Sequence, residues 1–164
     1  MTAVNWKSAI SGDWSTQADW SNNAIPGSTS DVTIGVAGAY EVTVDSPESA
    51  HSITLNDSSG TLAVDATLAL TTTLAVQSGT LDLLGGIIQG GTINNTGGDV
   101  QGLGSTLEAV TFQGTLDLSN QSQEPVLLIA NGIAFAGANG TGSATVNLTG
   151  YQSYLDVENT TTLN

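Results

Sequence analysis

The stretch TLAVDATLALTTTLAVQSGTLDLLGGIIQGGTINNTGGDV, Thr61 to Val100, decides the fold. One phrase recurs in it: TLAV at Thr61, TLAL at Thr67, TLAV at Thr73 and TLDL at Thr80, and TLDL returns at Thr115. Taking the first apolar residue of each short segment gives Leu62, Leu68, Leu74, Leu81, Ile87, Ile93, Val100, Leu107 and Phe112. Every third member then forms a series. Leu62, Leu81 and Val100 are 19 and 19 apart, Leu68, Ile87 and Leu107 are 19 and 20 apart, and Leu74, Ile93 and Phe112 are 19 and 19 apart. A fixed period of this length, with three short strands inside it, is the signature of a solenoid. The expected fold is therefore all-β: a single-stranded parallel β-helix of about 19 residues and three strands per coil.

The physics of the segments agrees. Apolar and polar residues alternate, as in a strand with one face buried: Leu81 and Leu83 point one way, Thr80 and Asp82 the other. Gly85-Gly86, Gly90-Gly91 and Gly97-Gly98 stand between strands, where a chain that turns a corner every six or seven residues needs glycine. No stretch carries a helical stripe. A β-sandwich also has many short strands and glycine turns, but it has no reason to hold one register across three series. Stacking the coils then places external residues in ladders: Thr73, Thr92 and Thr111 on one face, Thr61, Thr80 and Asp99 on a second, and Thr67, Gly86 and Thr106 on the third. Threonine suits that surface through its β-branch and its hydroxyl.

The composition fits such a skin. The chain has 164 residues and a net charge of −14, with Lys7 its only lysine or arginine. Nucleic acid and anionic membranes are excluded as partners, because their phosphates would be repelled. Charged residues make up only 10 % of the chain, while hydrophobic residues reach 39 %, too many for a disordered acidic tail. There is no cysteine, hence no disulfide framework and no thiolate zinc site. VLLIA at 126–130 is far too short to span a bilayer as a helix.

MTAVNWKSAI has no long apolar run, so no signal peptide is expected there. Two explanations fit: export by a C-terminal signal lying beyond Asn164, or a removed leader with a Met added. After Asn120 the register loosens. QEPVLLIANGIAF holds a longer apolar run and an Asn131-Gly132 turn, and ANGTGSATVNLTG is a Gly/Ser/Thr loop returning to a strand near Ala144–Leu148. YLDVENTTTLN begins new rungs that stop in mid-pattern. The expected organisation is a capping segment at 1–30 and a β-helix at 31–164, cut before its C-terminal end.

The opening spacing W-x7-W-x5-W-x5-P at Trp6, Trp14, Trp20 and Pro26, followed by SDVTI and YEVTVDS, resembles the start of large secreted bacterial surface proteins of the adhesin-like and autotransporter-like kind. SGTLDLLGGIIQGGTINNTGG and NGIAFAGANGTGSATVNLTG resemble their β-solenoid regions. The resemblance covers nearly the whole chain. It implies a right-handed parallel β-helix acting as stalk, adhesive surface or fibre, and an extracellular or cell-surface setting. It carries over no catalytic residue.

The segment GDWSTQADWSNNAIPG, Gly12 to Gly27, has two readings. In the first, Trp14 and Trp20 stack on sugar rings while Asp13 and Asp19 bond hydroxyls. In the second, which we favour, the segment is a lid on the first coil, whose open edge would otherwise invite strand addition. Asp13 and Asp19 then satisfy N–H groups in turns, and Pro26 leads into a first strand near Asp31–Ile34. Asp82, Asp99, Glu108 and Asp117 are outward carboxylates of the type that polysaccharide-cleaving β-helices use in acid–base pairs. Their basic partners would have to be His51 or Lys7, both distant in sequence, so no catalytic residue is assigned. His51 reads as a turn or surface histidine. No cofactor is required, though Asp31, Asp45 with Glu48, and Asp57 are loop carboxylates of the kind calcium takes. Ice binding calls for Thr-x-Thr on every rung, and here the second position reads Ala75, Asn94 and Gln113.

The functional expectation is a structural and adhesive solenoid module, not an enzyme, that partners with copies of itself or with neighbouring coils. The alternatives are a carbohydrate-binding module, or part of a polysaccharide-active enzyme, with extracellular polysaccharide as ligand.

Overall fold

The structure is a computed structural model and describes residues 1–119 and 126–158. Its strands are β1 (Thr2–Asn5), β2 (Gly12–Asp13), β3 (Ser30–Ile34), β4 (Tyr40–Val44), β5 (Glu48–Ala50), β6 (Ser52–Leu55), β7 (Gly60–Val64), β8 (Thr67–Leu70), β9 (Thr73–Val76) and β10 (Thr80–Leu83). They continue as β11 (Ile87–Gln89), β12 (Thr92–Asn95), β13 (Asp99–Gly102), β14 (Ser105–Glu108), β15 (Thr111–Asp117), β16 (Val126–Ala130), β17 (Ala134–Ala136), β18 (Thr145–Asn147) and β19 (Tyr154–Val157). Two short 3-10 turns, Gln17–Asp19 and Ala138–Gly140, are the only helical segments among the described residues.

From β3 to β15 successive strands go to successive sheets, and all these strand pairs are parallel. The first sheet runs β1-β3-β6-β9-β12-β15-β17, with β18 also on β15. The second runs β2-β4-β7-β10-β13, and the third β5-β8-β11-β14-β16-β19. This is a β-solenoid of about five turns with about 20 residues per turn. The register carries the expected period: Thr61 pairs with Thr80 and Thr80 with Asp99, while Thr73 pairs with Thr92 and Thr92 with Thr111.

The third series differs by one residue. Ile88, not Ile87, is the buried partner of Leu68 and Leu107, and Ile87 stands outside in the ladder Thr67–Ile87–Thr106. The expected Gly86 rung is thus corrected. Gly86 belongs to the corner and lies so close to the preceding coil that a Cβ would strike the Val64 carbonyl oxygen. That corner uses one residue more, and the strand starts one residue later.

Inside, each sheet stacks apolar columns. One runs Val4, Val32, Ile53, Leu74, Ile93, Phe112 and Phe135, all but the last fully or nearly fully buried. Each buried Leu or Ile is worth roughly 1.5–3 kcal/mol, and the backbone bonds to the coils above and below. The period breaks at β15. Gly114, at φ 103°, bends this strand where a Cβ would strike the Asn95 carbonyl. Its first half pairs with β12 and β17, and its second half, Thr115–Asp117, pairs with β18. The Gln123-Glu124-Pro125 opening of the apolar run, and residues 159–164 of the last stretch, lie outside the described residues.

Candidate functional site

The N-terminal segment contributes strands as well as a lid. β1 pairs with β3, and β2 with β4, so residues before Ser30 head two of the three sheets. Each strand delivers a tryptophan to the bore. Trp6 N–H donates to the Thr33 carbonyl and Trp14 N–H to the Thr43 carbonyl, continuing the strand register by one step. Trp6 therefore tops the column Ile34, Leu55, Val76, and Trp14 tops Val44, Val64, Leu83. Trp20 closes the gap between them. Its ring lies edge-on to both, with centroids 4.9 Å from Trp6 and 4.8 Å from Trp14.

Trp14 and Trp20 are fully buried and Trp6 is 2 % exposed. No ring face is open to a sugar, and the geometry is that of the lid. Trp20 Nε1 donates to the Trp14 carbonyl at 2.7 Å and Trp6 Nε1 to the Ile10 carbonyl at 3.1 Å, whereas Trp14 Nε1 has no protein partner. Asp13 and Asp19 act through their main chains: the Asp13 carbonyl accepts from Thr16 N–H, and the Asp19 carbonyl from Lys7 N–H. Both residues thus satisfy main-chain N–H groups, Asp13 within a turn and Asp19 across the segment. Lys7 is spent on the same lid, its ammonium donating to the Ala18 carbonyl and to Asn23 Oδ1.

The other carboxylates are dispersed. Asp31 lies on the outer face of β3, where its Oδ1 accepts from Ser52 Oγ at 2.6 Å and meets His51 Nδ1 at 2.8 Å. The Ser52 hydroxyl, and after it His51, hold its carboxyl below the usual value. His51 thus anchors one coil to the next at a bend, as a surface histidine would. Asp45 and Glu48 are bridged by Ser46 Oγ. Glu48 stands in register with buried Leu68, and this burial pushes its carboxyl up. Asp57 closes its own turn by accepting from Ser59 N–H. Among the described residues no three His, Cys, Asp or Glu side chains converge on a common point.

Of the outward acids, only Asp82 and Asp99 stand on neighbouring rungs of one sheet. Asp82 and Asp99 are on the second sheet, Glu108 on the third, and Asp117 beyond the β15 bend. Partial burial, then Glu41, Asp65 and Asp99, push the Asp82 carboxyl up, and its Oδ1 is buried without a partner. Glu108 takes Gln89 Nε2 and Asn131 Nδ2 as donors. Asp117 is held below the usual value by the Ser119 hydroxyl and N–H.

One feature was not foreseen from the sequence. Residues 137–143 fold back beside the first sheet, next to the glycine corner that follows β12, and leave a groove of about 510 Å³. Its only signal in the sequence is the Gly/Ser/Thr/Asn composition of ANGTGS. A second hollow of about 560 Å³ opens beside it at the last coil, and Phe135, Val146, Leu148 and Leu155 line it.

The fold and these sites define a parallel β-solenoid closed by a tryptophan lid. No family model, curated protein or solved structure matches the chain.

Proposed function

We propose that this chain is a structural and adhesive β-solenoid module of a bacterial extracellular or cell-surface protein. The observation that carries the reading is the in-register stack from β3 to β15: coil on coil, with Trp6, Trp14 and Trp20 packed over one end and threonines in its outer columns. Such a stack is stiff because every rung is bonded to the next, and its length scales with the number of coils. The outer column Thr73–Thr92–Thr111 offers an uncharged row of hydroxyls along the first sheet. The W…GDW…W…P opening supports the adhesin-like assignment. Among the described residues no helix is long and apolar enough to cross a membrane.

The stacking partner is a further coil or a second copy. Support for it comes from the last described coil, where Leu148, Tyr151, Tyr154 and Val157 stand exposed among the described residues. A strand edge with apolar neighbours of this kind can accept another strand. Antibodies raised against the chain test the setting: they label intact, unpermeabilised producing cells if the module stands at the surface. Labelling only after permeabilisation refutes it. Negative-stain micrographs of the purified chain, fresh and aged, test assembly, and particles that stay compact and uniform refute the fibre part.

A further inference from the structure

We propose that the groove beside the first sheet is a binding site for an uncharged, hydroxyl-rich ligand, a segment of neutral glycan. The proposal rests on the adhesive half of the reading above and gives it a place and a chemistry. One wall is the corner Asn95–Gly98 after β12, and the other is the loop carrying Ala138, Asn139 and Ser143. Thr115 and Thr145, paired across β15 and β18, complete the lining. At about 510 Å³ the groove falls within the range of ligand clefts, roughly 300–1,000 Å³.

The walls are fixed before any ligand arrives. Asn95 uses both ends of its amide: Nδ2 donates to the Thr115 carbonyl at 3.0 Å, and Oδ1 accepts from Gly98 N–H at 3.2 Å. The loop closes on itself. Gly137 N–H donates to the Gly142 carbonyl, Gly140 N–H to the Gly137 carbonyl, and Thr141 Oγ1 to the Ala138 carbonyl. Asn139 sits at φ 60°, ψ 24°, a left-handed conformation that asparagine tolerates. Ordering cost is thereby met in the fold rather than at binding. Asn95 is a positioning residue, while the hydroxyls of Thr96, Ser143 and Thr145 and the Asn139 amide face the ligand.

The lining selects the ligand by elimination. It contains no ionisable side chain. An anion finds no cation, since the chain's one lysine is committed at the lid. A hard metal ion finds no carboxylate. An apolar ligand fits the neighbouring hollow around Phe135 instead. What remains is a neutral molecule that both donates and accepts hydrogen bonds, as sugar hydroxyls do, against amides, hydroxyls and glycine backbone.

The test is NMR titration of the isotope-labelled chain with three neutral oligosaccharides, maltohexaose, laminarihexaose and mannohexaose, and with polygalacturonate as the anionic control. The expected result is a saturable shift of the Gly97, Gly98, Gly137 and Ser143 amides by at least one neutral oligosaccharide, with polygalacturonate leaving them unmoved. Thr96→Trp, which fills the groove from an exposed position, should weaken that binding at least about tenfold. Ser143→Ala, which removes one hydroxyl without adding bulk, should weaken it less and serves if the tryptophan variant misfolds. No saturable shift with any of the three overturns the proposal, as do shifts confined to another face or equal binding of polygalacturonate. Because the dispersed spectrum of the stacked coils is read in the same experiment, an empty groove on an intact solenoid is distinguished from a solenoid that does not form.

Discussion

Replacing Trp14 and Trp20 by phenylalanine, one at a time, should give two very different proteins. Both rings are fully buried, so each substitution removes the same atoms from the same kind of place, and the packing losses nearly cancel in the comparison. The indole N–H groups differ. Trp20 Nε1 donates to the Trp14 carbonyl at 2.7 Å, and Trp20→Phe leaves that buried carbonyl unpaired. Such an orphan costs about 1–3 kcal/mol. Trp14 Nε1 has no protein partner, so Trp14→Phe loses no bond and removes a buried donor whose desolvation carries a similar cost. The two terms add, and a carbonyl that relaxes toward another donor recovers part of the first. We expect Trp20→Phe to be less stable than Trp14→Phe by about 2 kcal/mol. For a chain of this size that is about 4–8 °C in melting temperature. Urea and thermal unfolding followed by far-ultraviolet circular dichroism read the gap directly. If Trp14→Phe loses as much stability as Trp20→Phe, the geometry assigned to the lid is wrong.

Other expectations follow from the same structure. Trp14→Ala should cost about 3–5 kcal/mol, as buried aromatic truncations do, whereas a sugar platform at that ring would lose ligand at an unchanged melting temperature. Gly114→Ala should destabilise by well over about 1 kcal/mol, because alanine meets both a positive φ and the Asn95 carbonyl there. Gly104→Ala, at φ 73° with open space around it, should cost less in the same unfolding assay. Asp82→Asn should stabilise the chain at neutral pH. The raised Asp82 carboxyl is a liability while ionised, so the advantage should shrink as pH falls through its folded-state value, and as salt screens Glu41, Asp65 and Asp99. Asp31→Asn should do the reverse. The depressed Asp31 carboxyl stabilises above its unfolded-state value, and that contribution disappears as pH falls through the folded one, so variant and parent should converge in acid.

The solenoid is legible in the sequence because stacking is a local rule repeated. Each coil must supply the same inward and outward residues as the last, so Leu62, Leu81 and Val100 had to keep their spacing. The Ile87–Ile88 pair shows where that rule stops: two adjacent apolar residues satisfy alternation either way, and only the close approach of Gly86 to the coil below decides. The tryptophans could be read as lid or as platform because side-chain type says nothing about which ring faces are covered. The groove was illegible for a deeper reason. It forms where residues 137–143 meet a corner some forty positions earlier, after the bend at Gly114 has broken the period, and no repeat records that meeting.

Stacking itself is best tested by pulsed dipolar spectroscopy on spin-label pairs that share Ala3 as one site. The column through Ala3 continues to Asp31, Ser52, Thr73, Thr92 and Thr111 on the outer face of the first sheet. Labels at Thr73, Thr92 and Thr111 therefore lie three, four and five rungs from Ala3. At about 4.8 Å per rung the mean distances should rise in equal steps, near 14, 19 and 24 Å. Equal increments of about 5 Å confirm one coil per step. Distances that fall, stay level or jump by more than about 8 Å between neighbouring sites contradict the solenoid, and with it the stiff module proposed for this chain.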